Sequence, residues 1–279
     1  MAACLHPVPI TVPVKDGDVQ VGLQDIQVRC GKCVPCLVHR RHEWFLRLSK
    51  ELQVSTSAYF VTLTYHDEHL YKNELGVPSV CKRHVQLFLK RLRKYGKFRY
   101  YLAAEYGVCF GRPHYHGLFF NLSAEQVDKI VGLWGKGFVK VGTVTSRSIN
   151  YTAGYIMMLN HVPKGADPLF QLMSRRPGIG GTWLSVNGNL IKQANVPYLV
   201  VDGKRHFMPR YFRTKLFSSL RRQAFALNWI EREYDAYLER LNKLAVENPT
   251  EDPVKLLRRL EKDFYSSVLR KRQKNLKLH

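Results

Sequence analysis

Residues 98–121 read FRYYLAAEYGVCFGRPHYHGLFFN, two aromatic and aliphatic runs parted by a glycine-bearing connection from Gly107 to Pro113. Such runs favour strands, and a short connection favours antiparallel pairing, so Phe98–Tyr106 and Tyr115–Asn121 are predicted to form a hairpin. Side chains alternate across a strand, which puts His114 and His116 on one face and Tyr115 on the other. With residues 107–112 as the loop, Glu105 returns on the adjacent strand and adds a carboxylate to the two imidazoles. Two imidazoles and one carboxylate leave open positions on a metal ion, as catalysis needs and a structural site does not.

Outward from the hairpin the periodicity keeps changing. AYFVTLTY, residues 58–65, alternates like a strand buried on one face. A helix is predicted over Ser79–Tyr95, with the apolar stripe Val85, Phe88, Leu89 and Leu92. Its other side carries Lys82, Arg83, Lys90, Arg91, Arg93 and Lys94 without acids one turn away, a surface suited to phosphate. After the hairpin, Ser123 and Gln126 form a capping box opening a helix through Trp134. FVKVGTVT, 138–145, reads as a strand, and a helix follows over about Ser148–Leu159. Tyr151 and Tyr155, four apart, share one face of that helix. This order predicts an α+β fold, an antiparallel sheet with helices on one face in a ferredoxin-like arrangement.

The pattern divides the chain into an N-terminal cysteine-cluster segment with a helix (1–52, the helix over Val34–Glu51), a core (53–160), a loop-rich Gly/Arg extension (161–213) and a basic helical region (214–279). Its last two helices carry the stripe Ile230, Tyr234, Tyr237, Leu238 and Leu241, then Leu257, Leu260 and Phe264. With 45% hydrophobic and 12% aromatic residues in 279, the chain has ample material for a core, which excludes disordered and collagen-like classes. Lysine and arginine number 44 against 22 acids, a formal charge of +22 that points to a polyanionic partner. No apolar run approaches the roughly 18 residues of a spanning helix, and the proline-broken start is no signal peptide, so nucleic acid in a cytoplasm is expected rather than a membrane.

Cys30, Cys33 and Cys36 form CGKCVPC, whose double C-x-x-C step lets thiolates converge on a soft cation such as structural Zn²⁺; iron–sulfur ligation and unliganded reduced thiols are the other readings. Cys4, His39 or His42 would supply a fourth ligand. Cys81 and Cys109 read as small buried hydrophobes. SRRPGIGG, 174–181, lacks the G-x-x-x-x-G-K-[ST] pattern, so no helicase is built in; its glycines either permit close approach to DNA, with Arg175 and Arg176 on phosphates, or make an ordinary turn. The tail VLRKRQKNLKLH, with Arg270, Lys271 and Arg272, suits nonspecific DNA attachment. A phenol with pKa about 10 is a poor nucleophile in water, but beside a divalent cation its phenolate can attack phosphorus and conserve the bond energy as phosphotyrosine.

FVTLTY, then GRPHYHGLFF, then Tyr151-x-x-x-Tyr155 follow the order of the three motifs of HUH-superfamily rolling-circle replication initiators. In finer detail residues 1–215 resemble the replication initiation proteins of gokushoviruses, single-stranded DNA phages of the Microviridae, through Cys4 with CGKCVPC, Arg41, Trp44, FLKRLRKY, AEYG, SRRPGIGG and MPRYF. The resemblance implies that His114 and His116, with Glu105 as third ligand, bind catalytic Mg²⁺ or Mn²⁺. It implies that Tyr151 and Tyr155 are nucleophiles, one nicking the origin strand and the other resolving the unit-length genome. The cut would leave a 5′-phosphotyrosine and a 3′-hydroxyl that primes a host DNA polymerase, with a separate helicase, in the cytoplasm of the host bacterium. Thr62 and Thr64 are expected to shape the sheet beside the site. One departure stands out: related two-tyrosine initiators read Y-x-x-K-Y-x-x-K, and here Gly154 and Met158 occupy the lysine positions, leaving Lys164 or an arginine elsewhere to substitute. A non-catalytic zinc-containing nucleic-acid-binding protein would leave the histidines and tyrosines coincidental, and a zinc hydrolase would not explain the tyrosines.

Overall fold

The computed structural model describes residues 4–16, 19–107, 110–154 and 162–277. In chain order the elements are β1 (Val8–Asp16), β2 (Val19–Val28), α1 (Val34–Gln53), β3 (Ala58–Leu63), α2 (Lys82–Leu92), β4 (Arg99–Tyr106), β5 (Pro113–Phe120), α3 (Ala124–Trp134), β6 (Val139–Thr143) and α4 (Ser146–Gly154). They continue with β7 (Gln171–Met173), α5 (Gly181–Ala194), β8 (Tyr198–Val201), β9 (Lys204–Phe207), α6 (Arg210–Leu216), α7 (Ser219–Glu247) and α8 (Pro253–Lys277). Two compact units divide the chain, one of Met1–Arg40 with Ala224–His279 and one of Arg41–Gln223.

The second unit is built on an antiparallel sheet in the order β6-β3-β5-β4-β7. The hairpin expected from residues 98–121 forms its centre, with Glu105 opposite His114 and Ala103 opposite His116. Helices cover both faces rather than the single face expected. On one, Val85, Phe88 and Leu89 of α2 and Ile130 and Trp134 of α3 pack against Val61, Leu102, Tyr115 and Phe119. On the other, Leu48 of α1 and Ile149 and Ala153 of α4 pack against Tyr101, Leu118 and Phe120. The physical cause lies in β4 and β5 themselves. YYLAA and LFF are apolar at successive positions instead of alternate ones, the signature of a strand buried on two sides. Gly117 belongs to this packing: a Cβ there would come within 2.5 Å of the Phe119 ring.

Helix α2 starts three residues later than expected, at Lys82, because the backbone before it is held extended from the sheet. Val80 N–H donates to the Tyr106 hydroxyl at 3.1 Å and Cys81 N–H to the Tyr115 hydroxyl at 2.7 Å. The capping box of α3 is present, Gln126 N–H donating to Ser123 Oγ and Ser123 N–H to Gln126 Oε1. Helix α4 begins at Ser146, two residues early, because Thr145 and Ser148 cap it reciprocally.

Residues 161–213, read as loop-rich, contain the fourteen-residue α5, the β8–β9 hairpin and α6. The weak signal has a cause: Gly181, Gly188 and Asn187 dilute the helical pattern of α5. The first unit holds an antiparallel β1–β2 hairpin, Val8 opposite Val28, and the helices α7 and α8. Its strands were obscured by Pro9 and Pro13, which an edge strand tolerates. Among the described residues no helix is long and apolar enough to cross a membrane.

Candidate functional site

Glu105 on β4, His114 and His116 on β5 and Thr62 on β3 project from the same face, because Glu105 pairs with His114 and His116 with both Ala103 and Thr62. His114 Nε2 and His116 Nε2 stand 3.2 and 3.1 Å from one oxygen, Glu105 Oε2. Their other nitrogens are engaged outward. His114 Nδ1 donates to the Arg112 carbonyl at 3.0 Å, which leaves Nε2 as the ring atom aimed at Glu105. His116 Nδ1 meets the Thr62 hydroxyl at 3.0 Å, a contact in which either group can donate and which fixes the ring with Nε2 toward Glu105. Arg112 is itself fixed by Asp67 at 2.6 Å and by the Tyr65 carbonyl.

The buried Glu105 Oε2 lacks a well-aligned hydrogen bond despite the two close nitrogens. Three convergent ligand atoms explain this better than an ion pair does, since octahedral ligands about 2.1 Å from a hard cation stand roughly 3 Å apart along an edge. Burial pushes the Glu105 carboxyl up, but the two imidazoles facing it outweigh burial and hold it at about 2. Burial lowers the His116 pKa and favours the neutral ring that a metal requires. The donor set therefore fits a divalent ion with open positions.

Tyr151 reaches this site from α4. Its ring stands edge-on to His116 at 5.7 Å, and Phe60 stacks on the same imidazole at 5.7 Å and 11°. Buried Ile149 and Ala153 anchor that helix on the sheet. Gly154 is also buried. Tyr155 and Met158 lie outside the described residues, as does Cys109.

In the first unit Cys4, Cys30, Cys33 and Cys36 bring their sulfurs within 4.8 Å of one another. Separations of 3.7 Å for Cys4–Cys33, 3.4 Å for Cys33–Cys36 and 4.0 Å for Cys30–Cys36 bracket the roughly 3.8 Å edge of a tetrahedron with 2.3 Å metal–sulfur bonds. Cys4 thus completes the group, while the His42 ring packs 4.8 Å from His206. N–H groups of Cys33 and Lys32 bring Cys30 down to about 6, whereas burial first and the neighbouring Cys33 second push Cys36 up to about 12. A cation is what lets all four ionise together.

One neighbour of the triad, Lys140, escaped the sequence reading. Thr62, expected only to shape the sheet, touches His116, whereas Thr64 donates to the Phe138 carbonyl. Lys140 on β6 pairs with Thr62, so the row Ala103, His116, Thr62, Lys140 crosses the sheet on the triad's face, with Lys140 exposed at its end. The alternation of VKV in 139–141 carried that signal. Lys90, Arg91, Arg93, Lys94, Arg175, Arg176 and Arg270 are exposed; the side chains of Lys271 and Arg272 lie outside those described.

A central antiparallel hairpin presenting two histidines and an acid to one point, with a helix-borne tyrosine against the inner histidine, is the arrangement implied by the resemblance to HUH replication initiators. The family model for replication-associated proteins of the ORF2 type matches residues 58–159. Replication-associated protein ORF2 of Spiroplasma virus 4 is 34% identical over 215 residues, 68% of this chain and 67% of that protein. Replication-associated protein VP4 of Bdellovibrio phage phiMH2K is 32% identical over 214 residues, 66% of this chain and 65% of that protein. For Replication-associated protein ORF4 of Chlamydia phage 1 the identity is 27% over 229 residues, 72% and 56% of the two chains. No solved structure matches. The chain belongs to the replication-associated proteins of these small phages and is a phage replication initiator.

Proposed function

We propose that this initiator cuts one DNA strand at the phage origin by transesterification onto tyrosine. The observation that carries this reading is the convergence of Glu105, His114 and His116 beside the Tyr151 ring. Mg²⁺ or Mn²⁺ held by those three residues would withdraw charge from the scissile phosphate and favour the phenolate. Tyr151 or Tyr155 then bonds through its phenolic oxygen to phosphorus and loses its proton to solvent. The P–O3′ bond breaks, and the departing 3′ oxygen takes up a proton. A 5′-phosphotyrosine and a 3′-hydroxyl result, the latter a primer for a host polymerase working with a separate helicase in the host cytoplasm. The second tyrosine attacks the regenerated junction, and the freed 3′-hydroxyl attacks the first phosphotyrosine; the new P–O3′ bond closes the circle as the P–O bond to the first tyrosine breaks and its phenolate regains a proton. The cations at the C-terminal end of α2 and just past it, Lys90, Arg91, Arg93 and Lys94, together with Arg175, Arg176, Arg270, Lys271 and Arg272, hold the strand by charge. Zn²⁺ on Cys4, Cys30, Cys33 and Cys36 is structural.

Incubation with single-stranded origin DNA and Mn²⁺ should give a covalent protein–DNA adduct resolved on a denaturing gel. Absence of adduct with metal shown bound would sink the reading, as would an adduct that survives the double Tyr151→Phe, Tyr155→Phe replacement.

Two single replacements should separate binding from chemistry. Thr62→Val removes the hydroxyl that orients His116, and Mn²⁺ affinity by calorimetry should fall about 10- to 100-fold. Lys140→Ala removes a cation from the triad's face, where α4 has Gly154 at the lysine position, and should slow nicking about tenfold or more at saturating Mn²⁺ with metal affinity unchanged. Equal effects of both on metal affinity would refute the separation.

The cysteine site makes a different prediction. A strong chelator should release one zinc per chain, measured by a colorimetric dye, and lower the melting temperature of the whole chain. Zinc release without any thermal effect would deny it a structural role.

A further inference from the structure

The 174–181 loop is pinned from behind by buried charge. Glu51, 1% exposed, accepts from the guanidinium of Arg99 and, at 2.6 Å, from the Gly180 N–H. Arg99 also donates to the carbonyls of Pro177 and Gly178 at 2.9 and 3.0 Å. Arg47, sandwiched between the Trp44 and Tyr211 rings at 4.2 and 4.3 Å, donates to the Ile179 carbonyl. The glycines serve this packing: at Gly180, φ +79°, a Cβ would fall 2.5 Å from Phe212, and at Gly181 2.7 Å from Pro177. Their role is internal, and what the loop displays outward is Arg175 and Arg176.

Those two arginines stand on the shared rim of two open hollows. One, of about 980 Å³, is walled by Lys82 of α2, by Arg93 just past its end and by Lys97. The other, of about 650 Å³, is walled by Lys192 of α5 and Lys215 of α6. The chain carries cations over acids two to one, so eight charged lining residues drawn evenly would include about three acids; these eight, counting Arg99, include none. The rings of the first hollow, Phe98 and Tyr100, are each 8% exposed under Arg93, and half-buried Tyr211 of the second has Arg47 stacked on one face, so cations rather than open rings dominate the lining.

From this juxtaposition we infer that the two hollows form one trough that grips the phosphate backbone of a single DNA strand, blind to sequence, as that strand runs along the β7 edge of the sheet. The inference deepens the nicking proposal by giving the substrate a second, distant hold. Helix α2, which covers the sheet face opposite the triad, carries the trough between the two ends of the sheet: Lys82 follows Cys81, which is hydrogen-bonded to Tyr115, and Arg93, just past its C-terminus, lies at the far end. Arg99 lies six residues along β4 from Glu105, about 20 Å, which spans about six phosphates at duplex spacing and fewer when a strand is extended.

Fluorescence anisotropy on labelled oligonucleotides of increasing length tests the trough. Wild-type affinity should rise between an 8-mer and a 25-mer, and Arg175→Gln with Arg176→Gln should lose at least about tenfold of the 25-mer affinity, with a salt slope shallower by about 2. Melting of this double variant at the wild-type temperature would exclude unfolding, and Lys97→Gln, from the α2 wall, should act in the same direction. An unchanged slope, an equal loss at both lengths, or tighter binding of duplex than of single strand would each overturn the trough. If wild-type protein forms no covalent adduct yet the variants lose the length-dependent affinity, the nicking reading fails and the trough stands.

Discussion

His114→Ala or His116→Ala should lower the rate of strand nicking about 10³-fold or more while leaving much of the DNA affinity in place. The size follows from the several kcal/mol that a divalent ion contributes to charge developing on phosphorus, at 1.36 kcal/mol per tenfold in rate. The separation from binding follows from where the charges lie. Cations lining the two open hollows stand on α2, α5, α6 and the 174–181 loop, whereas His116 is 7% exposed and Glu105 3%. Loss of one imidazole should also abolish detectable Mn²⁺ binding by calorimetry. If affinity for a 25-mer fell as steeply as the rate, or if nicking persisted without measurable metal binding, the histidines would be structural residues of β5 and not ligands. Asparagine at either position, which preserves much of the volume, should be as inactive as alanine; substantial activity there would point to packing.

Glu51→Ala should destabilise the Arg41–Gln223 unit by about 3–5 kcal/mol, the range for removing one partner of a buried ion pair. The carboxylate is 1% exposed on its side chain and faces Arg99 and the Gly180 N–H; its loss leaves a guanidinium 15% exposed beside an unmet backbone donor. It also removes a negative group from the N-terminus of α5, where the helix dipole favours one. Urea denaturation followed by tryptophan fluorescence reads the change, Trp44 and Trp183 both lying in this unit. A shift below about 1 kcal/mol would mean that solvent reaches the pair. Because Glu51 holds the loop that displays Arg175 and Arg176, Glu51→Gln, which retains an acceptor for Gly180, should recover part of the stability.

Much of this architecture was legible in sequence because it rests on local rules. Two-residue alternation suffices to put His114 and His116 on one face, and a short loop suffices to return Glu105 beside them. A helix carrying Tyr151 was legible from its period, whereas Tyr155 lies outside the described residues. The double C-x-x-C step announces converging sulfurs, but only folding selects Cys4 over His39 and His42. The N-terminal hairpin and α5 were illegible because proline and glycine, which signal breaks locally, are tolerated at an edge strand and required at a crowded turn.

By itself, then, the sequence determined the strand and helix periods, the residue types of both candidate metal-ligating groups and the excess of positive charge, all properties of neighbours along the chain. Tertiary structure alone decided that helices cover both faces of the sheet, that Thr62 and Lys140 fall in line with His116, and that Glu51, Arg47 and Arg99 meet behind the SRRPGIGG loop. The hydrogen bonds among these residues span from 48 positions, between Arg99 and Glu51, to 132, between Arg47 and Ile179. No local propensity spans such separations. Only the closing of the sheet and the burial of charge, where an unpaired group costs several kcal/mol, select them.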